Sequence, residues 1–220
     1  MDHQLSALSR PRPGRTASRR YAAKPLHARR PRPQTERPRI QIPARRAAYA
    51  AKPAERGILR FIPLGGCGEV TRSCYIYEYE DDIIIVDMGL QFPDEDMPGI
   101  DYLIPNVEYL KPRRKNIRGI VITHGHYDHI GAIPHLLDAL GNPPIYATAL
   151  TRGVIMKRQE DFSHLKRPEI EVITPESRVQ LGVFGVEFFH VNHNIPDSVG
   201  VVLKTPVGTV VHTGDWKFDH

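Results

Sequence analysis

Cysteine is scarce. The 220 residues contain two, Cys67 and Cys74, too few for a disulfide framework, so a reducing compartment is the default. Long apolar runs are missing too. No stretch approaches the roughly 20 residues needed to cross a bilayer, and no membrane partner is expected. The N-terminus lacks the short apolar segment of a secretory signal, which makes the expected location cytoplasmic. Acidic residues are nearly absent from one segment: residues 1–56 hold 15 Lys and Arg against Asp2, Glu36 and Glu55.

That segment carries a net +12, and residues 57–220 carry a net −7. The overall +5 averages a basic tail and an acidic domain. The tail also holds eight of the 20 prolines and few clustered large aliphatics. Such a composition cannot bury enough apolar surface to offset chain entropy. Residues 1–56 are therefore expected to form a disordered Arg/Pro-rich basic tail. An arm that neutralises nucleic-acid phosphates is the reading taken here. A solubilising tail without a specific partner is one alternative. An organellar transit peptide is another, although the prolines oppose an amphipathic helix.

Folded sequence is expected to begin near Ile58. Strands are predicted over 58–62, 74–80, 82–87 and 117–123, the first ending at Gly65-Gly66-Cys67-Gly68. Ile130, Ile133, Leu136, Leu137 and Leu140 recur at helical spacing. Pro134 must then sit in or near a first turn, where a missing N–H is tolerated. Residues 148–160 also look helical. Strand patterns return at 170–174, 183–190, 199–204 and 208–212. Strands, then helices, then strands indicate an α/β sandwich with helices packed outside sheets.

The run His124-Gly125-His126-Tyr127-Asp128-His129 carries the chemistry. On a chain leaving a strand extended, His124 and His126 project to one side and can chelate one divalent ion. Asp128 and His129 follow where a helix is expected to begin, with Asp128 suited to its N-cap. They direct a carboxylate and a third imidazole at neighbouring space, which suggests a second metal. Two ligands per metal are too few. His190 to Ser198 ends a strand and supplies two histidines, His190 and His193, and His212-Thr213-Gly214-Asp215 ends the last strand and supplies a carboxylate. A carboxylate between two cations can bridge them in a two-metal hydrolase.

These successive motifs are similar to those of the metallo-β-lactamase superfamily. The likeness goes further. Gly65-Gly66-Cys67-Gly68-Glu69, Asp87-Met88-Gly89-Leu90, Gln91-Phe92-Pro93, Gly99-Ile100-Asp101, Ile104-Pro105, Asn194 to Gly200 and Gly214 to Asp219 resemble bacterial ribonuclease J, in the β-CASP nuclease branch. The resemblance covers residues 57–220. It implies an αββα metallo-β-lactamase sandwich, of which 57–220 would be the N-terminal portion. The β-CASP domain, the rest of the sandwich and a further histidine ligand would follow. It also implies two zinc ions (Zn2+) per subunit. His124, His126 and His193 would hold the first, Asp128 and His129 the second, and Asp215 would bridge them. Asp128 and Asp215 are thereby also the catalytic candidates. Asp87, ending a strand, would support a metal-bound histidine from behind. Metals of this kind lower the pKa of coordinated water from 15.7 to about 7. The implied activity is zinc-dependent cleavage of RNA, endonucleolytic and 5′→3′ exonucleolytic, by a dimer or tetramer when full length. Residues 1–220 alone are expected to cleave poorly. Two alternatives stand beside this: another hydrolase of the superfamily, acting on thioesters or lactams, and an inactive RNA-binding chain. The family usually continues its Gly-Gly-x-Gly-Glu loop with a glycine and then an asparagine, where this chain has Thr71 and Ser73. The departure bears on substrate contacts and not on the metals.

Other residues are expected to be structural. His190 matches no ligand position, and His212 is read as packing or as support for the site. His135, His164 and His220 are read as surface residues, and Cys67 and Cys74 as small buried ones. Tyr75, Tyr77 and Tyr79 alternate along a strand and are expected to pack on one face.

Overall fold

The computed structural model describes residues 56–218; the predicted tail, apart from Arg56, and His220 lie outside them. Ten strands are present among these residues: β1 (Leu59–Gly65), β2 (Cys74–Tyr79), β3 (Asp82–Val86), β4 (Ile117–Val121), β5 (Ile145–Ala147), β6 (Ile170–Val172), β7 (Arg178–Leu181), β8 (Phe184–His190), β9 (Val199–Thr205) and β10 (Gly208–His212). The first six form one sheet in chain order, and β10-β9-β8-β7 form a second. β1, β2 and β3 pair antiparallel, β3 to β6 parallel, and the second sheet is antiparallel throughout.

The sequence of β3 explains its central place. Asp82-Ile83-Ile84-Ile85-Val86 has no polar alternation, as expected of a strand covered on both faces. Successive side chains point to opposite faces. Ile83 and Ile85 join a core with Ile76, Ile120, Ile122, Ile130, Ile133, Leu136 and Ile155 on the helical side. Ile84 and Val86 join another with Tyr77, Val121, Phe184, Val186, Val201 and Leu203 between the sheets. Tyr75 and Tyr79 pack against that second core, so the tyrosines of β2 do share one face.

The helical stretch differs from expectation. The spacing from Ile130 to Leu140 predicts one helix. The chain instead makes two single turns, α1 (Tyr127–Ile130) and α2 (Ile133–Leu136). Pro134, at the start of α2, explains the break: it has no N–H for the Ile130 carbonyl, and its ring would collide with that group. α3 (Ala149–Gln159) follows β5 as one continuous helix. The N-cap of α1 is His126, in extended conformation, and Asp128 lies inside the first turn. The expected Asp128 cap is therefore not formed. Two strands had no clear signal: β5 has three residues after Pro143 and Pro144, and β7 has four.

Candidate metal centre

Five strand ends meet at one edge of the two sheets. Asp87 follows β3 in left-handed conformation, φ 63°, and its N–H donates to the Val121 carbonyl at 2.9 Å. The segment from Thr123 to His129 follows β4. His193 lies between β8 and β9, and Asp215 follows β10. Backbone hydrogen bonds fasten these loops together. Met88 N–H donates to the His129 carbonyl at 2.7 Å, Ser73 N–H to that of Asp128 at 2.8 Å, and Gly89 N–H to that of Ser73 at 2.8 Å. Val199 N–H reaches the Thr123 carbonyl at 3.0 Å, which ties the second sheet to the histidine loop. Gly89 is fixed by crowding. A Cβ there would stand 1.6 Å from the Asp128 carbonyl oxygen.

Three imidazoles converge. His124 Nε2 lies 3.0 Å from His126 Nδ1, and His193 Nε2 lies 3.2 Å from the same atom. Tetrahedral zinc with Zn–N bonds near 2.0–2.1 Å places its nitrogen ligands about 3.3 Å apart. The spacing therefore fits a cation among these three nitrogens. A second group joins His124, His129 and Asp215, with ligand atoms within 4.8 Å of one another. His129 Nε2 is 3.4 Å from Asp215 Oδ2 and 3.6 Å from Asp128 Oδ2. Asp215 Oδ2 is also 3.9 Å from His193 Nε2, so it stands between the two groups. The six predicted ligands are thus brought to one place.

Asp87 lies behind them, fully buried. Its Oδ2 is 2.8 Å from His129 Nδ1, and its Oδ1 accepts the Thr123 N–H at 2.8 Å. Burial pushes the Asp87 pKa up, but His129 outweighs it and holds the carboxyl below its usual range. For His129, burial opposes the charged form; Asp87 and Asp215 prevail and raise its pKa to about 10. His124 is pushed down to about 3, by burial first and then by the His129 charge. Asp215 is held down at about 2 by its hydrogen bond to His129. The protein alone thus balances its carboxylates with a proton on His129, where a metal cation would otherwise supply the positive charge.

Thr123 was not among the residues singled out from sequence. Its hydroxyl touches Asp87, His124 and His129. A Thr at the end of an apolar strand carries no signal that separates this role from strand filler. His212 bonds Tyr77 across the two sheets, with Nδ1 3.0 Å from the hydroxyl. It lines an open cleft of about 520 Å³ with Phe61, Tyr75, His129 and Asp215. His190 is exposed at the end of β8, as is His164. Two expectations need correction. Cys67 is exposed, while Cys74 is buried as expected. His135 is no bare surface residue. It stacks on Tyr102 at 4.5 Å and meets Phe162 edge-on at 4.8 Å, because α2 turns it toward both rings.

A family model described as Metallo-beta-lactamase superfamily matches residues 67–219. Ribonuclease J of Thermus thermophilus is 44% identical over 169 residues, covering 73% of this chain and 29% of that protein. Ribonuclease J2 of Bacillus subtilis is 40% identical over 161 residues, 73% of this chain and 29% of its own length. The chain thus spans about three tenths of the length of these relatives. Among solved structures, the metallo-beta-lactamase fold protein YhfI of Bacillus subtilis is 18% identical with TM-score 0.50, covering 73% of this chain and 64% of its own. A protein of unknown function from Enterococcus faecalis V583 is 18% identical with TM-score 0.57, covering 72% of this chain and 44% of its own. These two likenesses speak to the fold.

Proposed function

The chain belongs to the metallo-β-lactamase superfamily, and from that premise we propose that it carries the two-metal site of a ribonuclease that hydrolyses RNA phosphodiesters. The observation that carries this reading is the convergence of His124, His126, His193, His129 and Asp215, with successive ligand atoms 3.0 to 3.9 Å apart. Identity near 40% to ribonucleases J supports RNA as the substrate class.

His124, His126 and His193 would hold one zinc, Asp128 and His129 the other, and Asp215 would serve both. Two ions so placed supply Lewis acidity toward phosphate oxygens and lower the pKa of water to about 7. The chain's own groups do the rest. Asp87 fixes the ring of His129. Asp215 stays ionised at neutral pH, its pKa held near 2, and offers an acceptor at the mouth of the cleft. Asp128 presents a second carboxylate, partly exposed, 3.6 Å from His129 Nε2. Cytoplasmic location, RNA processing and decay, both modes of cleavage and a homo-oligomeric assembly belong to the same proposal. So does the expectation that residues 1–220 by themselves cleave slowly.

The test is hydrolysis of 5′-monophosphorylated RNA, a thioester and a β-lactam by zinc-loaded protein from the full reading frame. RNA cleavage that a chelator and His126→Ala both abolish is expected. Cleavage of the thioester or lactam with RNA left intact would reject the nuclease reading.

A further inference from the structure

We propose that Thr123 is a positioning residue that couples the two metal positions through its single hydroxyl. The inference rests on the metal-centre reading above and concerns which ring atoms stand ready before an ion arrives.

The argument is a count of donors. A threonine hydroxyl has one proton to give and lone pairs to receive. Thr123 Oγ1 lies 2.9 Å from Asp87 Oδ2, 3.0 Å from His124 Nδ1 and 3.4 Å from His129 Nδ1. Asp87 is surrounded by donors: its Oδ1 takes the Thr123 N–H at 2.8 Å, and its Oδ2 faces His129 Nδ1 at 2.8 Å. A carboxylate so placed accepts only, so the hydroxyl proton goes to Asp87. The oxygen then has lone pairs alone to offer His124, and His124 must donate from Nδ1. Which ring nitrogen carries the proton is set by the partner of the other. His124 Nε2 is therefore left as a bare lone pair, directed at His126 and within reach of the His193 ring.

Asp87 thus acts on both metal positions. It fixes His129 directly, and it fixes His124 through Thr123. The backbone strengthens the coupling, because the Thr123 N–H binds Asp87 and the Thr123 carbonyl accepts Val199 N–H at 3.0 Å. Gly214, next to Asp215, would bring a Cβ to 3.2 Å from Thr123 Cβ. The residue is thus held between Asp87, Val199 and Gly214, on three segments of the candidate site.

The experiment uses the 220-residue chain with zinc as the probe, titrated against a chromophoric chelator, beside Thr123→Val and Thr123→Ser. Valine keeps the shape and removes the hydroxyl. Thr123→Val is expected to weaken zinc binding about 10–100-fold, the range seen when groups behind metal ligands are lost, at both positions together. Thr123→Ser is expected to stay within about threefold of the parent. Nitrogen-detected NMR of the zinc-free parent chain is expected to show His124 protonated at Nδ1. Wild-type zinc affinity in Thr123→Val, a Thr123→Ser as weak as Thr123→Val, or His124 protonated at Nε2 would each overturn the proposal. Should the valine variant fail to fold, the serine titration and the NMR of the parent chain still decide it. A parent chain that binds no zinc at all would refute the metal-centre reading itself, a separate outcome.

Discussion

Asp87 and His129 stand 42 residues apart in sequence, and their side chains meet at 2.8 Å, both buried. The pair is the base of the candidate metal centre. Breaking a buried charged pair from one side costs about 3–5 kcal/mol, since the remaining group keeps its desolvation penalty. Asp87→Asn is expected to lower unfolding free energy by about 3 kcal/mol, measured by urea denaturation in chelator. It should also weaken zinc binding. An unchanged denaturation midpoint would show that the contact carries little energy.

The pKa shifts predict a stability maximum for the metal-free chain. His129 has a folded pKa raised from 6.5 to about 10, so its contribution is complete below pH 6.5 and is lost as pH climbs toward 10. His124 is lowered from 6.5 to about 3. Below pH 6.5 the unfolded chain takes a proton that the folded ring refuses, and stability falls. Melting temperatures measured in chelator from pH 4 to 10 are expected to peak near pH 6.5. His129→Ala should flatten the alkaline limb and also soften the acid limb, because the His129 charge is the second cause of the lowered His124 pKa.

Two glycines give opposite expectations. Gly89→Ala drives a methyl group into the Asp128 carbonyl oxygen, 1.6 Å from the Cβ position. The loops must part, with a loss of about 1–3 kcal/mol as for other overpacked sites and with weaker zinc binding. Gly153 lies inside α3 with nothing within 4 Å of its Cβ position. Gly153→Ala should stabilise the chain by about 0.5–1 kcal/mol and leave zinc binding unchanged. Thermal denaturation with and without zinc separates the two.

Glu78 offers a control away from the metals. It is fully buried, and its carboxylate meets Arg60 at 3.3 Å, Arg113 at 2.6 Å and the Tyr109 hydroxyl at 2.6 Å. Glu78→Gln leaves two arginines facing a neutral group and should cost about 3 kcal/mol. Zinc affinity in the folded fraction is expected to match the parent. A matched fall in affinity would show that the two regions communicate.

The candidate ligands were legible in part because their chemistry is dense in sequence. Three histidines and an aspartate stand within six residues; His193 and Asp215 follow apolar strands, but only the family resemblance separated His193 from His190. Asp87 could be read from its place after Ile83 to Val86. Thr123 could not, since its role depends on Asp87, 36 residues earlier, which lies across a parallel strand pair. His135 was missed for the same reason: its partners Tyr102 and Phe162 come from segments on either side of α2. The break at Gly131 was obscured because apolar side chains keep helical spacing across it. Pro134 held the clue, and the backbone obeyed it.

The hydrogen-bonded loops that gather residues 87, 123–129, 193 and 215 have one more consequence. Four of the candidate ligands are neighbours in sequence, but His193 and Asp215 reach them only when both sheets have formed. An ion that uses all six binds the native state more tightly than the denatured one, so ion concentration becomes a thermodynamic force on folding itself. At a free concentration 100 times the dissociation constant that force is about 2.7 kcal/mol. Scarcity of the metal would then thin the population of folded molecules.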